Sequence, residues 1–248
     1  MPKLIDATME DLTTSSNYQF SAVKIDELSS AKYTLVTVAV DVSGSVESFK
    51  NELENTLKTI LESCKKSPEA ESLMIRLVSF NNDVDEIHGF KLLNTINQTD
   101  YDNILHPCGG TALFDAVHTT VEATKNYSSI LFNQEFDANA IVFVVTDGCD
   151  NSSSVSASSV KDMVEQTIRE ECLDSLNVVL VGVGTDDSYV NDALDDFKQD
   201  ANLTQYVPMG EASPAKLAKL AQFISRSISS TSQALGSGST SASEILVF

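Results

Sequence analysis

The sequence predicts an α/β fold: a doubly wound, mostly parallel sheet with helices on both faces. Three observations carry that expectation. Apolar, β-branched runs recur at Leu35–Val40, Leu73–Phe80, Ile141–Val145 and Asn177–Gly184, and such continuous apolarity belongs to strands buried on both faces. Between them lie segments whose apolar residues return at three- and four-residue steps, the period of a helix with one buried face. Strands alternating with helices imply right-handed crossovers and a parallel sheet. Two of the runs lead into an aspartate, Asp41 and Asp147. In open sheets of this class, ligands bind at the carboxyl ends of the strands.

In chain order, residues 1–30 form a polar, mixed N-terminal extension with a loop at Thr13–Asn17 and a short extended segment around Phe20, Val23, Ile25 and Leu28. The first central strand ends at Asp41-Val-Ser43-Gly-Ser45, and a helix follows with Val46, Phe49, Leu53, Leu57, Ile60 and Cys64 on one face. Leu73–Phe80 is the next strand. Asn81–Glu86 reads as a tight turn into a short edge strand near Val84–Ile87. The Asn81, Asp83, Asp85 spacing is that of a calcium loop, but Glu86 stands where the loop needs glycine and the twelfth position has no glutamate; a solvated turn is the expectation. Gly109-Gly110 gives the backbone freedom to bring Thr111 to the head of a helix faced by Leu113, Val117 and Val121. The strand through Ile141 leads to a Ser-rich loop at Asn151–Ser154, then a helix over about Ser158–Leu173. The strand at Asn177–Gly184 precedes a helix over Ser188–Asp200 and a short strand at Thr204–Val207. Ser213-Pro214 is an N-cap followed by a proline at the first helical position, and Leu217, Leu220, Ala221, Ile224 and Ile228 make the buried stripe of the last helix. The domain is expected over 31–230, with a flexible Ser/Gly-rich tail over 231–248. Glu244–Phe248, at its end, is a candidate for strand addition to a sheet edge.

The first Asp-bearing turn carries the chemistry. Asp41, Ser43 and Ser45 place one carboxylate and two hydroxyls on a single turn, and Thr111 and Asp147 add a hydroxyl and a second carboxylate. Oxygen-only donors suit Mg²⁺ or Mn²⁺ rather than zinc, and Ca²⁺ accepts the same atoms. With these three pieces in this order, the chain resembles the von Willebrand factor A (VWA) domain over about Tyr33–Ser230. That resemblance implies a Rossmann-like sheet with one short antiparallel edge strand. It also implies a complete metal-ion-dependent adhesion site (MIDAS) with Asp41, Ser43, Ser45, Thr111 and Asp147 as metal ligands, where the ion bridges the domain to a glutamate or aspartate of a partner protein.

Composition narrows the function. The net charge is −20 over 248 residues, a field that repels nucleic-acid phosphates and anionic lipid and attracts cations and basic protein surfaces. No apolar run reaches the roughly 18 residues of a membrane span. Met1-Pro-Lys-Leu-Ile-Asp shows no signal-peptide core, and the four cysteines have neither metal-site spacing nor a disulfide pattern; a cytoplasmic location is expected. Cys108 and Cys149 flank the Thr111 and Asp147 loops, so oxidation of the two together is a way to distort the site. Asp186, Asp187, Asp192, Asp195, Asp196 and Asp200 read as a solvated helix face, with a docking patch for a basic partner as the other reading. The motif loops hold no Lys or Arg to clamp a phosphate, and His106 is the histidine nearest to them in sequence. The functional expectation is a non-enzymatic, divalent-metal-dependent interaction module, an intracellular adaptor or assembly factor. The alternative is a Mg²⁺-dependent hydrolase or phosphotransferase, and a third reading leaves the metal site purely structural.

Overall fold

A computed structural model describes residues 7–185 and 187–237. Among the described residues eight strands form one sheet: β1 (Met9–Thr13), β2 (Gln19–Val23), β3 (Lys32–Asp41), β4 (Leu73–Phe80), β5 (Val84–Leu92), β6 (Asp137–Thr146), β7 (Leu176–Val183) and β8 (Gln205–Gly210). The helices are α1 (Lys50–Lys65), α2 (Leu113–Asn133), α3 (Ala157–Arg169), α4 (Ser188–Asp200) and α5 (Pro214–Ser237). The strand order is β1-β2-β5-β4-β3-β6-β7-β8. The run β4-β3-β6-β7-β8 is parallel throughout, as expected for a doubly wound α/β fold.

Strand alternation sorts the core into two layers. Val36, Val38 and Val40 of β3 and Ile141, Phe143 and Val145 of β6 face α1 and α5. Ala39, Val142 and Val144 face the opposite way, onto α2, α3 and α4. Because both faces are covered, β3 and β6 must be apolar at nearly every position, and this makes them legible as central strands. Their carboxyl ends lie side by side, with Val40 in register with Val145.

Three boundaries differ from the sequence expectation, each for a physical reason. Helix α3 stops at Arg169 rather than near Leu173, because Glu171 enters the left-handed region at φ 51° and turns the chain. Helix α5 runs on to Ser237, past residue 231 where a flexible tail was expected. Thr231, Ser232 and Ala234 are buried; these small side chains bring the helix close to the sheet, and the buried Asn139 side-chain amide donates to the Thr231 carbonyl. The segment 244–248, the candidate for strand addition, and Asp186 lie outside the described residues. Strand β5 is antiparallel to β4, but it extends to Leu92 and is not the edge, because the β1–β2 hairpin lies beyond it.

That hairpin belongs to the N-terminal extension, and side chains rather than a long ladder hold it. Strand β2 meets β5 at a single registered pair, Ala22 beside Phe90. At Gly89 an added Cβ would lie 1.8 Å from the Ser21 carbonyl oxygen, so only glycine permits the approach. Arg76 on β4 is fully buried; its Nε donates to Glu86 at 2.9 Å and its Nη2 to the Tyr18 hydroxyl at 2.8 Å. The guanidinium also lies 5.5–5.9 Å from the ring centres of Tyr18, Phe20 and Phe90. Glu86 accepts in turn from the Ser21 amide and hydroxyl. On the helical side, Ser15 and Ser16 donate to the buried Glu122 of α2, and the Tyr127 hydroxyl donates to the Val23 carbonyl.

Removing one member of a buried ion pair strands the other in low dielectric. Glu86→Ala is expected to cost about 3–5 kcal/mol of unfolding free energy, measured by urea denaturation. The double replacement Arg76→Met with Glu86→Leu is expected to cost less than that single change.

Candidate metal centre

The carboxyl ends of β3 and β6 deliver Asp41 and, one residue past Thr146, Asp147. Asp41 is 1% exposed. Its Oδ1 accepts the Ser43 amide at 2.7 Å and its Oδ2 the Thr146 hydroxyl at 2.6 Å. The Ser45 hydroxyl donates to Asp147 Oδ1 at 2.9 Å, the Ser43 hydroxyl lies 3.5 Å from the same oxygen, and the two serine oxygens are 3.1 Å apart. Asp41, Ser43, Ser45 and Asp147 are thus joined in one hydrogen-bonded cluster. A hydroxyl whose hydrogen rests on a carboxylate keeps its lone pairs free for another partner.

Thr111 arrives differently. It heads α2 from the loop at 106–112, which lies against the Asp41 turn: the Cys108 amide donates to the Val42 carbonyl at 2.8 Å and the Gly44 amide to the Gly109 carbonyl at 3.2 Å. Gly109 takes a left-handed φ of 75°. The Thr111 hydroxyl lies 3.9 Å from the Cβ position of Gly148, the residue after Asp147. Thr111 is 4% exposed, and among the described residues its hydroxyl makes no hydrogen bond. The sequence-predicted residues therefore form a bonded group of four, with a fifth hydroxyl held beside it on a separate loop.

Electrostatics separate the two carboxylates. Burial pushes the Asp41 pKa up to about 6, against the Thr146 hydroxyl and the Ser43 amide, which favour its charged form; the nearby Asp147 adds a like charge. Burial also raises Asp147, partly countered by the Ser45 hydroxyl. Among the described residues neither carboxylate has a Lys, Arg or His ion-pair partner. No group of three His, Cys, Asp or Glu that could hold a metal occurs among them either, so an ion here must draw on the hydroxyls. Two unpaired carboxylates, two serine hydroxyls with free lone pairs and an unbonded threonine hydroxyl make a donor set that fits a hard divalent cation.

Several supporting residues escape a reading by motif. Thr146 is the buried link between the two aspartates: it donates to Asp41 and accepts the Gly148 amide at 3.2 Å. The cap of α2 comes from outside its own turn. Its N-cap, Ala112, has no capping side chain; instead Asp150 accepts the Phe114 amide at 3.3 Å and Ser153 the Asp115 amide at 3.0 Å. The Asp115 carboxylate returns the contact, accepting the Ser154 and Val155 amides at 2.9 Å each. The only sequence signal was the density of Asn, Asp and Ser after Gly148, residues that bond backbone groups readily. His106 is exposed and bonds to none of the five. The two thiols beside the site meet different surroundings: the Cys108 sulfur accepts the Asn81 side-chain amide, whereas burial, and after it the charge of Asp187, raises the Cys149 thiol pKa.

The sequence profile of the von Willebrand factor type A domain matches residues 36–236. A search of curated proteins finds no match. Among solved structures, the fold is similar to the PilB minor pilin from Streptococcus sanguinis, with a TM-score of 0.56 and 14% identity over 84% of this chain and 64% of the pilin. It is similar to the pilus adhesin SpaC from Lactobacillus rhamnosus GG in its open conformation (TM-score 0.54, 12% identity, 90% of this chain and 34% of the adhesin). A third is proximal thread matrix protein 1 from the mussel byssus, solved with a zinc-occupied MIDAS motif (TM-score 0.53, 18% identity, 79% of this chain and 45% of that protein). The chain thus spans less than two thirds of each, and at these identities the likeness carries the fold.

The raised Asp41 pKa has a sign that can be tested without metal. The folded protein holds this proton more tightly than the unfolded chain, so the stability it contributes is full below about pH 4 and lost as pH climbs through about 6. In EDTA, Asp41→Asn is expected to gain stability on wild type between pH 5 and 8, by up to about 3 kcal/mol, as read from urea midpoints across that range.

Proposed function

Because this chain belongs to the von Willebrand factor type A domain family, we propose that it is a divalent-metal-dependent protein-interaction module. Its ion is held by Asp41, Ser43, Ser45, Thr111 and Asp147 as a complete MIDAS. The observation that carries this reading is the buried, cation-free Asp41 carboxylate, bonded into one cluster with Ser43, Ser45 and Asp147 at the sheet's carboxyl edge. Mg²⁺ or Mn²⁺ is the ion of choice, and Ca²⁺ suits the same oxygens. Two carboxylates only balance its charge, so when bound it supplies an electrophilic position for a glutamate or aspartate of a partner protein. The chain's own residues hold the ion in place. Ser45 and the Thr111 loop lie on the outer side, while Thr146 and the Ser43 amide fix Asp41 from within.

The surroundings set terms for the partner. Segments 42–49, 81–83, 106–112, 147–156 and 211–213 carry Glu47, Asp83, Asp147, Asp150 and Glu211 and no Lys or Arg. A carboxylate must therefore reach the ion from a neutral or basic surface, since like charges around it would repel. The same lack of cations removes a phosphate clamp and argues for binding over the hydrolase or phosphotransferase alternative. We place the protein in the cytoplasm, as an adaptor or assembly factor. Its support is chemical: Cys64, Cys108, Cys149 and Cys172 are free thiols, and the charge of −20 disfavours nucleic acid and anionic membranes.

Calorimetric titration of Mg²⁺ and Mn²⁺, with Zn²⁺ alongside, into metal-stripped protein tests the reading. Saturable binding is expected in wild type and abolished in Asp41→Ala and Asp147→Ala. Partner capture should then require the ion and disappear in EDTA. Folded wild-type protein that binds none of the three ions would refute the proposal.

A further inference from the structure

The ligand set falls into two halves that are assembled in different ways. Asp41, Ser43, Ser45 and Asp147 bond to one another. Thr111 bonds to none of them through its side chain, so something else must decide where its hydroxyl sits. Three consecutive amides give the answer. The Gly110 amide donates to the Asn82 side-chain oxygen at 2.7 Å, the Thr111 amide to the Asn151 side-chain oxygen at 2.8 Å, and the Ala112 amide to the Asn81 carbonyl at 2.6 Å. Asn151 grips the threonine twice, because its own amide donates to the Thr111 carbonyl at 3.0 Å. The Ser152 hydroxyl braces the Asn151 oxygen at 2.6 Å and lies 3.3 Å from that of Asn82. The fit is close: a Cβ on Gly110 would come within 2.3 Å of Ser152 Oγ, 2.5 Å of Asn151 Oδ1 and 2.9 Å of Asn82 Oδ1.

We propose that Asn151, seconded by Asn82, is a positioning residue for the metal site, acting on the ion only through the Thr111 hydroxyl. The two asparagines come from the β4–β5 turn and the loop after β6, so the bracket ties both loops to the one that carries Thr111. Neither asparagine side chain is itself an ion ligand in this scheme. Both residues are exposed, so removing either leaves the core and the Asp41–Asp147 cluster in place. The inference rests on the metal site proposed above.

A double-mutant cycle separates positioning from a general structural role. Mn²⁺ affinity is measured by calorimetry for wild type, Thr111→Ala, Asn151→Ala and the double variant, with circular dichroism and melting curves to confirm the fold. Loss of a residue that orients a metal ligand typically lowers affinity by about 10–100-fold. Asn151→Ala should fall in that range, and it should cause no further loss once Thr111 is alanine. Asn82→Ala should cause a smaller loss. Asn151→Asp, which keeps the acceptor oxygen, should retain affinity. In metal-free protein, amide hydrogen exchange should speed up at Thr111 in Asn151→Ala and at Gly110 in Asn82→Ala, while the amides of β3 and β6 stay protected.

Wild-type affinity in Asn151→Ala, or a full additional loss in the Thr111→Ala background, would overturn the proposal while leaving the metal site standing. Absence of Mg²⁺, Mn²⁺ and Zn²⁺ binding in folded wild type would remove the metal site, and the inference with it. Unchanged exchange at Thr111 would overturn the bracket whatever the metal does.

Discussion

A carboxylate buried without a cation governs the upper edge of this domain. Asp41 sits at the end of a strand that is solvent-free on both sides, and burial makes its charge expensive. The protein answers with dipoles rather than an opposite charge: the Thr146 hydroxyl from the neighbouring strand and the Ser43 amide from the next turn. The Thr146 contact requires β3 and β6 to end level, which the parallel register between them ensures. The serine turn, the Thr111 loop and Asp147 are then grouped by the same strand ends. The sheet is thus both a scaffold and the source of the tension at the site, since a group held at a cost in stability is one that a cation relieves.

The buried Arg76 is handled in the opposite manner. Arg76 has its counter-ion Glu86, a tyrosine acceptor and aromatic rings around it. It lies below the candidate site and fastens the N-terminal hairpin. One unpaired carboxylate and one charge-paired guanidinium in the same sheet mark the difference between a position kept available and a position closed for packing, with only the Arg76 Nη1 left unbonded there.

Much of this was legible because the chemistry is local. The strands around Leu35 and Ile141 announce themselves by continuous apolarity, and Ser188–Asp200 is a helix over the expected span. The five oxygen-bearing residues stand in short motifs at strand ends. What escaped depends on contacts distant in sequence. Phe20 and Val23 look ordinary until Arg76, Glu86 and Glu122 give them an anchorage. Thr146 reads as the last residue of a strand, and only its neighbour's aspartate makes it a bridge. Asn82 and Asn151 look like turn and loop residues because their partners are backbone amides 28 and 40 residues away. Helix α5 outlasts its apolar stripe because small residues fit where larger ones would not.

The hairpin added beyond β5 also bears on self-association. A sheet's outer strands expose unpaired amides and carbonyls that can template another chain. Here one outer strand, β1, is five residues long and carries Glu10 and Asp11; the other, β8, contains Pro208, which has no amide hydrogen to offer. Both are poor templates. Were the hairpin to detach, the nine-residue β5 with Ile87 and Phe90 would become the boundary, a longer and more apolar edge. The Arg76–Glu86 pair therefore guards colloidal behaviour as well as fold stability, and weakening it would expose a surface prone to fibrous stacking.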